Sequence, residues 1–475
     1  MKLKRFISVA LLVVTSMIGQ YKVEWASKFE FNSKLEKDPQ FVMADNYNHY
    51  LLSVVNVDGM LVNNQVIVRK FDQKNQLVDT YKQEFPDKDS QILHNYFGSY
   101  EVGNDKVVVF TESYSNKTKI AAIYKIVFDK ATAKFTTTVI ASYPILSLSK
   151  SGDINVIRSE NGNYFGVIYQ KYGTKKDPEE SDCIVLDGKN LNVVWQKTAT
   201  FQDEFYTNER VITNSGRIVF VRSPRSYKLL NYITVIDAIG QVNKEVGEEV
   251  KLQKPVAVSI GTQDYLVAFN YPTKGVRGGD FENLMLYDLE SGKILKNNKF
   301  KDFNSIKDLK EVNVRNVFLQ NNEIYLFTEG KFQLGTRATT TSFGSAGFPE
   351  PIFKNGPANL ILLSFTGDLL KNIKLPTDAT DADVTRSFGL LNIRGSYFLN
   401  TGYASGFFTL TPASGFTTRA SQVNFSYSND PYYNTGSGIF MNQLVRYFPD
   451  NNRLVFARIH SDGQMSLVNV TDFKP

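Results

Sequence analysis

The side chains best suited to nucleophilic, acid–base or metal chemistry in this 475-residue chain are one cysteine and three histidines, and their spacing organises none of it. Cys183 sits in the apolar run Cys183-Ile184-Val185-Leu186, where a thiol packs as a small hydrophobe; a reactive thiol needs an electropositive, accessible setting. A lone cysteine excludes an intramolecular disulfide and a Cys-x-x-Cys-His haem attachment. His49, His94 and His460 lie far apart, in no spacing that zinc sites use. Thr377-Asp378-Ala379-Thr380-Asp381-Ala382-Asp383 offers hard oxygen ligands on a turn, but lacks the Asp-x-Asp-x-Asp-Gly order and distal glutamate of a calcium loop. It reads as a solvated connection. No glycine-rich nucleotide loop is present, and carboxylate pairing depends on distances that spacing does not give. No catalytic residue, cofactor-binding residue or metal ligand is therefore assigned, and no cofactor is expected.

Recognition chemistry is better represented. Thr336 to Pro357 carries Phe343, Phe348 and Phe353 among Thr, Ser, Gly and Pro; Ser421 to Ile439 carries Phe425, Tyr427, Tyr432 and Tyr433 among Asn, Ser and Gly. Aromatic side chains set among small polar residues suit protein interfaces and sugar stacking, and long connections of this kind usually have a function. These seven aromatics are the candidate partner-binding residues. A glycine-rich segment, Tyr271 to Phe281 with Lys274 and Arg277, is a smaller candidate, while Lys175 to Asp182 reads as solvated.

The elements that must hold these segments recur along the chain. Arg217-Ile218-Val219-Phe220-Val221 leads to Tyr232-Ile233-Thr234-Val235-Ile236-Asp237, and Tyr265-Leu266-Val267-Ala268-Phe269 leads to Asn283-Leu284-Met285-Leu286-Tyr287-Asp288. Short alternating apolar runs ended by Gly, Asn or Asp are strand signals, and helical periodicity is nearly absent. The second strand of each unit opens near Tyr50, Val107, Tyr164, Arg217, Tyr265, Glu323, Tyr397 and Arg453, mostly at intervals of roughly fifty to sixty residues. Four-strand units at such a period predict an all-β chain folded as a β-propeller of eight blades, with seven as the alternative.

The last unit, Leu454 to Arg458 followed by Met465 to Val470, has no fourth strand after it. Lys22-Val23-Glu24-Trp25 echoes Asn192-Val193-Val194-Trp195, the outer strand of the third unit. The N-terminal segment is therefore expected to complete the last blade, covering an edge that would otherwise invite aggregation.

Cys183 to Trp195, with a strand ending at Asp187, a turn containing Gly188 and Trp195 on the next strand, resembles the repeat of pyrroloquinoline-quinone-type propellers. Leu286 to Leu295 repeats the pattern without the tryptophan. Locally, the aspartate can satisfy turn N–H groups, glycine supplies positive φ and the tryptophan packs between blades. The resemblance implies blade architecture. Quinoprotein dehydrogenases of this type typically hold their cofactor beside two adjacent cysteines, a pair this chain cannot form.

With 42% hydrophobic and 13% aromatic residues the chain can fill a large β core. Lys2, Lys4 and Arg5 precede the apolar stretch Phe6 to Val14, which is too short to span a bilayer, and the polar end Thr15 to Gln20. Residues 1–20 read as a signal peptide cleaved near Gly19 or Gln20, and 21–475 as a single propeller domain with enlarged loops near 336–357 and 421–439. No cysteine stands at the junction, so the lipoprotein pattern is not met. Cleavage lowers the formal charge from +6 to +3, 51 basic against 48 acidic residues, too slight to argue for nucleic acid.

The expectation is an exported, non-enzymatic scaffold or accessory subunit in the periplasm, with extracellular release as the alternative. It would not itself span a membrane and would dock on an outer-membrane or secretion-channel protein, resembling in this the propeller subunit of the outer-membrane assembly machinery. A carbohydrate-binding or carbohydrate-active propeller with its site at the ring axis is the second reading. A quinoprotein-like oxidoreductase is the third.

Overall fold

A computed structural model describes residues 22–472, apart from 34, 46, 56–64, 87–91, 116, 148–149, 174–176, 202–204, 225–230, 247–249, 273–282, 300–308, 338–349, 376–387, 401–406, 411–418, 421–429 and 433–438. The described strands pair into eight antiparallel sheets of four. Seven use consecutive strands, and the eighth joins the last three strands of the chain to the first, Lys22–Trp25. Numbered along the chain, the sheets begin with the strands Glu36–Ala44, Ile92–Val102, Asp153–Arg158, Phe205–Ile212, Val250–Ile260, Leu309–Gln320, Gly389–Ile393 and Ile439–Phe448. First strands of neighbouring sheets touch one another at seven of the eight junctions, the eighth sheet touching the first. The sheets are thus blades around an axis lined by their first strands, the arrangement of a β-propeller.

Hydrophobic packing follows the same circle. Eight buried clusters each join two neighbouring blades, for example Val102, Phe110 and Ile123 with Ile154, Phe165 and Leu186 between blades 2 and 3. Phe318 and Tyr397, ring centroids 5.3 Å apart, link blades 6 and 7. Leu51 and Phe71 meet Phe448, Val455 and Leu467 where blade 8 returns to blade 1. Because a blade is covered on both faces, its second and third strands are buried almost continuously, as in Val107–Ser113 and Leu284–Tyr287. Alternation is clear in outer strands such as Val193–Phe201, which water reaches on one side.

The last sheet is completed as expected. Lys22 to Trp25 pair antiparallel with Thr471 to Val468, and the Ala26 and Phe29 N–H groups donate to the Leu467 and Met465 carbonyls. The chain then crosses to blade 1, where Phe29 meets the Phe71 ring edge-on at 4.9 Å. The Trp echo that located this strand does not carry its facing. Trp195 packs toward the following blade and Trp25 toward the preceding one, because their pairing registers differ by one residue of pleat.

The strand direction separates two faces. First strands run toward a face of tight turns, and the connections from second to third strands and from each blade to the next all lie at the opposite face. On the turn face, Asp72, Asp129, Asp187, Asp237 and Asp288 each accept hydrogen bonds from backbone N–H groups two to four residues ahead. Gly188 is required there for space: a Cβ would lie 1.9 Å from the Gly162 carbonyl oxygen. Of the expected loop at 336–357, residues 336–337 and 350–357 are strand, and 338–349 lie outside the described residues. Glu323–Arg337 and Glu350–Ser364 form one hairpin whose register still pairs Arg337 with Glu350, because β pairing continues past the blade as long as both backbones stay extended.

Candidate functional site

Of the seven candidate aromatics, Phe343, Phe348, Phe425, Tyr427 and Tyr433 lie outside the described residues, as does the acidic run 377–383. Phe353 pairs through its backbone with Gln333 in the long hairpin of blade 6. The strands flanking 338–349 and 421–438 all reach the same face: the first segment joins second to third strand in blade 6, the second joins blade 7 to blade 8.

Tyr432 is described, and it belongs to the ring closure. Its hydroxyl accepts from the Lys28 N–H at 2.9 Å, the Lys28 ammonium lies 4.8 Å from its ring, and its edge meets His460 at 4.9 Å. Its own N–H donates to Asp430 Oδ1. Beneath it, Arg458 holds both oxygens of Asp430 at 2.6 and 2.8 Å, and each side chain is 0% exposed. Burial would raise the Asp430 carboxyl, but the Arg458 hydrogen bonds and charge, together with the Tyr432 N–H, outweigh it and hold it below its ordinary value. Arg458 also lies 4.4 Å over the Trp25 ring.

His460 Nε2 and Ser466 Oγ, 2.8 Å apart with Asp430 nearby, have the composition of a nucleophile, base and acid. Their arrangement is structural. Ser466 Oγ also accepts from Arg458 Nε, Asp430 is spent on Arg458, and Ser466 is 0% exposed, so neither an orienting carboxylate nor substrate access is provided.

Two further enclosed ion pairs support the loop face. Arg69 spans both oxygens of Glu36 at 2.8 Å and donates to Ser53. Arg222 approaches Glu179 at 3.5 Å and stacks 3.9 Å over Phe201, while Thr207 donates to the same carboxylate. Glu36 and Glu179 are the first residues of strands that leave the loop face, and Asp430 lies in the connection from blade 7 to blade 8. Removing one partner of such an enclosed pair would leave a buried charge uncompensated.

Cys183 is fully buried and its thiol is pushed up to about 12 by burial, which fits the inert reading. His49 is enclosed among Phe41, Phe71 and Phe448, and burial together with Arg453 and Arg446 holds it neutral. Among the described residues, no group of three or more His, Cys, Asp or Glu could hold a metal ion, and no helix is long and apolar enough to cross a membrane.

Basic residues on the first strands escaped the sequence reading. Arg446 of blade 8 reaches over blade 1, donating to the Phe41 carbonyl and to both oxygens of Glu101 at 2.9 Å. Arg158, Arg210 and Arg315 line a cavity of about 260 Å³ between the first strands of blades 3 to 6. Arg394, exposed and at φ 52°, borders a wider opening of about 560 Å³ with Glu160 and Gln320 near the turn face. The signal existed as one arginine near the end of each of several first strands, visible only once blades are superposed.

No family model and no curated protein matches the chain. Solved structures do, at low identity. The WD40 domain of SCAP from fission yeast is 8% identical, covering 95% of this chain and 98% of that one with a TM-score of 0.42. The β-propeller domain of the Trilobed protease from Pyrococcus furiosus is 12% identical over 74% of this chain and 100% of that one, TM-score 0.35. The acylaminoacyl peptidase of Pyrococcus horikoshii is 10% identical over 91% of this chain, TM-score 0.38, and the match spans 59% of the peptidase.

Proposed function

We propose that this protein is an exported, non-enzymatic β-propeller that works as an interaction scaffold or accessory subunit of an outer-membrane or secretion-channel complex, in the periplasm. One observation carries the reading: the two faces differ in kind. Tight Asp-capped turns close one face, whereas the strands flanking both aromatic segments end on the other. Three enclosed ion pairs brace that second face. A rigid ring with one elaborated face needs only its surface to bind a protein, and the aromatic composition of 338–349 and 421–438 suits the centre of such an interface. The basic, apolar and polar sections of residues 1–20 support export.

The finer likeness to pyrroloquinoline-quinone-type repeats has local support in blade 3. Trp195 Nε1 donates to the Gly216 carbonyl of blade 4 at 3.1 Å, a tryptophan docking one blade on the next. It bears on how blades pack.

The test is purification of the native complex from solubilised envelopes with the full chain as bait. A stoichiometric outer-membrane or secretion-channel protein should co-purify with the parent chain. It should be lost from a Phe343→Ala, Phe348→Ala, Phe425→Ala, Tyr427→Ala variant that melts like the parent. Retention of that partner by the variant would refute the assignment of the face. Glycan binding by the parent, abolished in the same variant, would replace the protein partner with a carbohydrate.

A further inference from the structure

The axial cavity is built from two kinds of surface. Three guanidinium groups, Arg158, Arg210 and Arg315, meet one carboxylate, Glu160, which is itself engaged by the Asn214 amide at 3.1 Å. The remaining wall is largely aliphatic, with Ile212, Val256 and Val317 among its residues.

Each arginine has a partner at its side, a carbonyl, a carboxylate or an amide oxygen, while the cavity they line holds three guanidinium groups against one carboxylate. Arg158 donates to the Glu101 carbonyl at 3.2 Å and lies over the Tyr100 and Phe165 rings at 5.8 and 5.6 Å. Arg315 stands 3.7 Å from Glu329. Arg210, with only 8% of its side chain exposed, donates to Gln170 Oε1 and lies 3.7 Å from Asp153, a carboxylate that is itself 64% exposed. Its Nε is buried with no hydrogen-bond partner among the described residues. Burial pulls both Arg158 and Arg210 below their ordinary basicity, so each charge is carried at a cost that a bound anion would offset. A buried N–H donor without an acceptor carries a similar penalty.

We propose that this cavity binds a small organic carboxylate with a short aliphatic body, its carboxylate taken by the guanidinium groups of Arg210, Arg158 and Arg315 and its chain by the Val and Ile wall. Charge alone would admit phosphate, but the aliphatic wall would then face a strongly hydrated ion and gain nothing from it. The volume is below that of most sites for drug-sized ligands and suits a compound of a few carbons. Forked guanidinium donors match a planar carboxylate. This site is independent of whatever docks on the loop face.

Isothermal titration of the full chain with hexanoate, hexanamide and inorganic phosphate tests it. Hexanoate should bind saturably and hexanamide and phosphate should bind about tenfold or more weakly. Arg210→Gln should weaken hexanoate about tenfold or more, and so should Arg315→Gln, whose more exposed side chain can be removed with less risk to the fold; unchanged circular dichroism certifies either variant. Absence of hexanoate binding overturns the proposal. So does hexanoate affinity unchanged in the folded variants, hexanamide binding as tightly as hexanoate, or phosphate binding more tightly.

Discussion

Glu112 is a carboxylate that the ring has enclosed without an ion-pair partner among the described residues. Only 1% exposed on the second strand of blade 2, it accepts from Asn95 at 3.0 Å, and its other oxygen is buried without a hydrogen-bond partner among the described residues. Burial pushes its pKa up to about 7 from an ordinary 4.5, with Asp153 adding to the rise and hydrogen bonds from Asn95 and Tyr114 opposing it. Between those two values the folded chain holds more protons than the unfolded one, so stability falls as pH rises through that window. Above it the full penalty is present, about 3 kcal/mol. Glu112→Gln should flatten that part of the stability profile and raise the urea midpoint most at the alkaline end. Urea titrations across the window read this directly, and an unchanged slope would remove Glu112 from the account. None of this was legible beforehand. A glutamate in Phe110-Thr111-Glu112-Ser113 looks like any polar strand residue until the neighbouring blade covers it. Cys183 was legible, because an apolar run on both sides already implies burial.

Among elements, those buried on two sides were easiest to read. The predicted opening of every second strand falls within two residues of an observed one, as with Tyr164, Glu323 and Arg453, since continuous apolar runs leave little choice of boundary. At the two edges of the 336–357 segment the strands run further than expected, because Thr336, Pro351 and Gly356 weaken a strand signal without preventing backbone pairing. The axial arginines were hidden for another reason: they converge from blades separated by many tens of residues, and only ring geometry brings them together. The N-terminal strand is the element on which the closure rests. It contributes four paired residues, Trp25 beneath Arg458, and Phe29 and Phe31 packed near Arg69. Starting the chain after Phe31 should expose the edge Met465–Thr471 and leave Arg458 and Arg69 partly uncovered. A fall of about 3 kcal/mol or more in unfolding free energy is expected, together with concentration-dependent aggregation. Denaturation and light scattering measure both. A truncated chain as stable as the parent would show that the latch is dispensable.

The whole molecule is a circuit of eight similar interfaces, and a circuit behaves differently from a linear stack. In an open array each repeat leans only on its neighbours and the ends fray. Here Arg446 ties blade 8 to blades 1 and 2, and one cluster spans the junction between the last and first sheets. The chain's two tryptophans report on distant points of the circuit, Trp25 in blade 8 and Trp195 in blade 3. In single-tryptophan variants, Trp25→Phe and Trp195→Phe, the urea midpoints seen by the remaining indole should coincide after correction for each substitution. A separate early transition at Trp25 would mean that the closure opens on its own.

The contact between Glu24 and Asn469 joins residues 445 positions apart. As the chain emerges from a ribosome or a translocation pore, its leading strand has no mate until nearly everything behind it has arrived. Seven sheets can assemble from strands that are already to hand, while the eighth waits with an open edge. Guarding that early segment against false pairing is therefore a task for whatever escorts the nascent polypeptide, and its duration scales with the rate of synthesis or export rather than with the speed of folding.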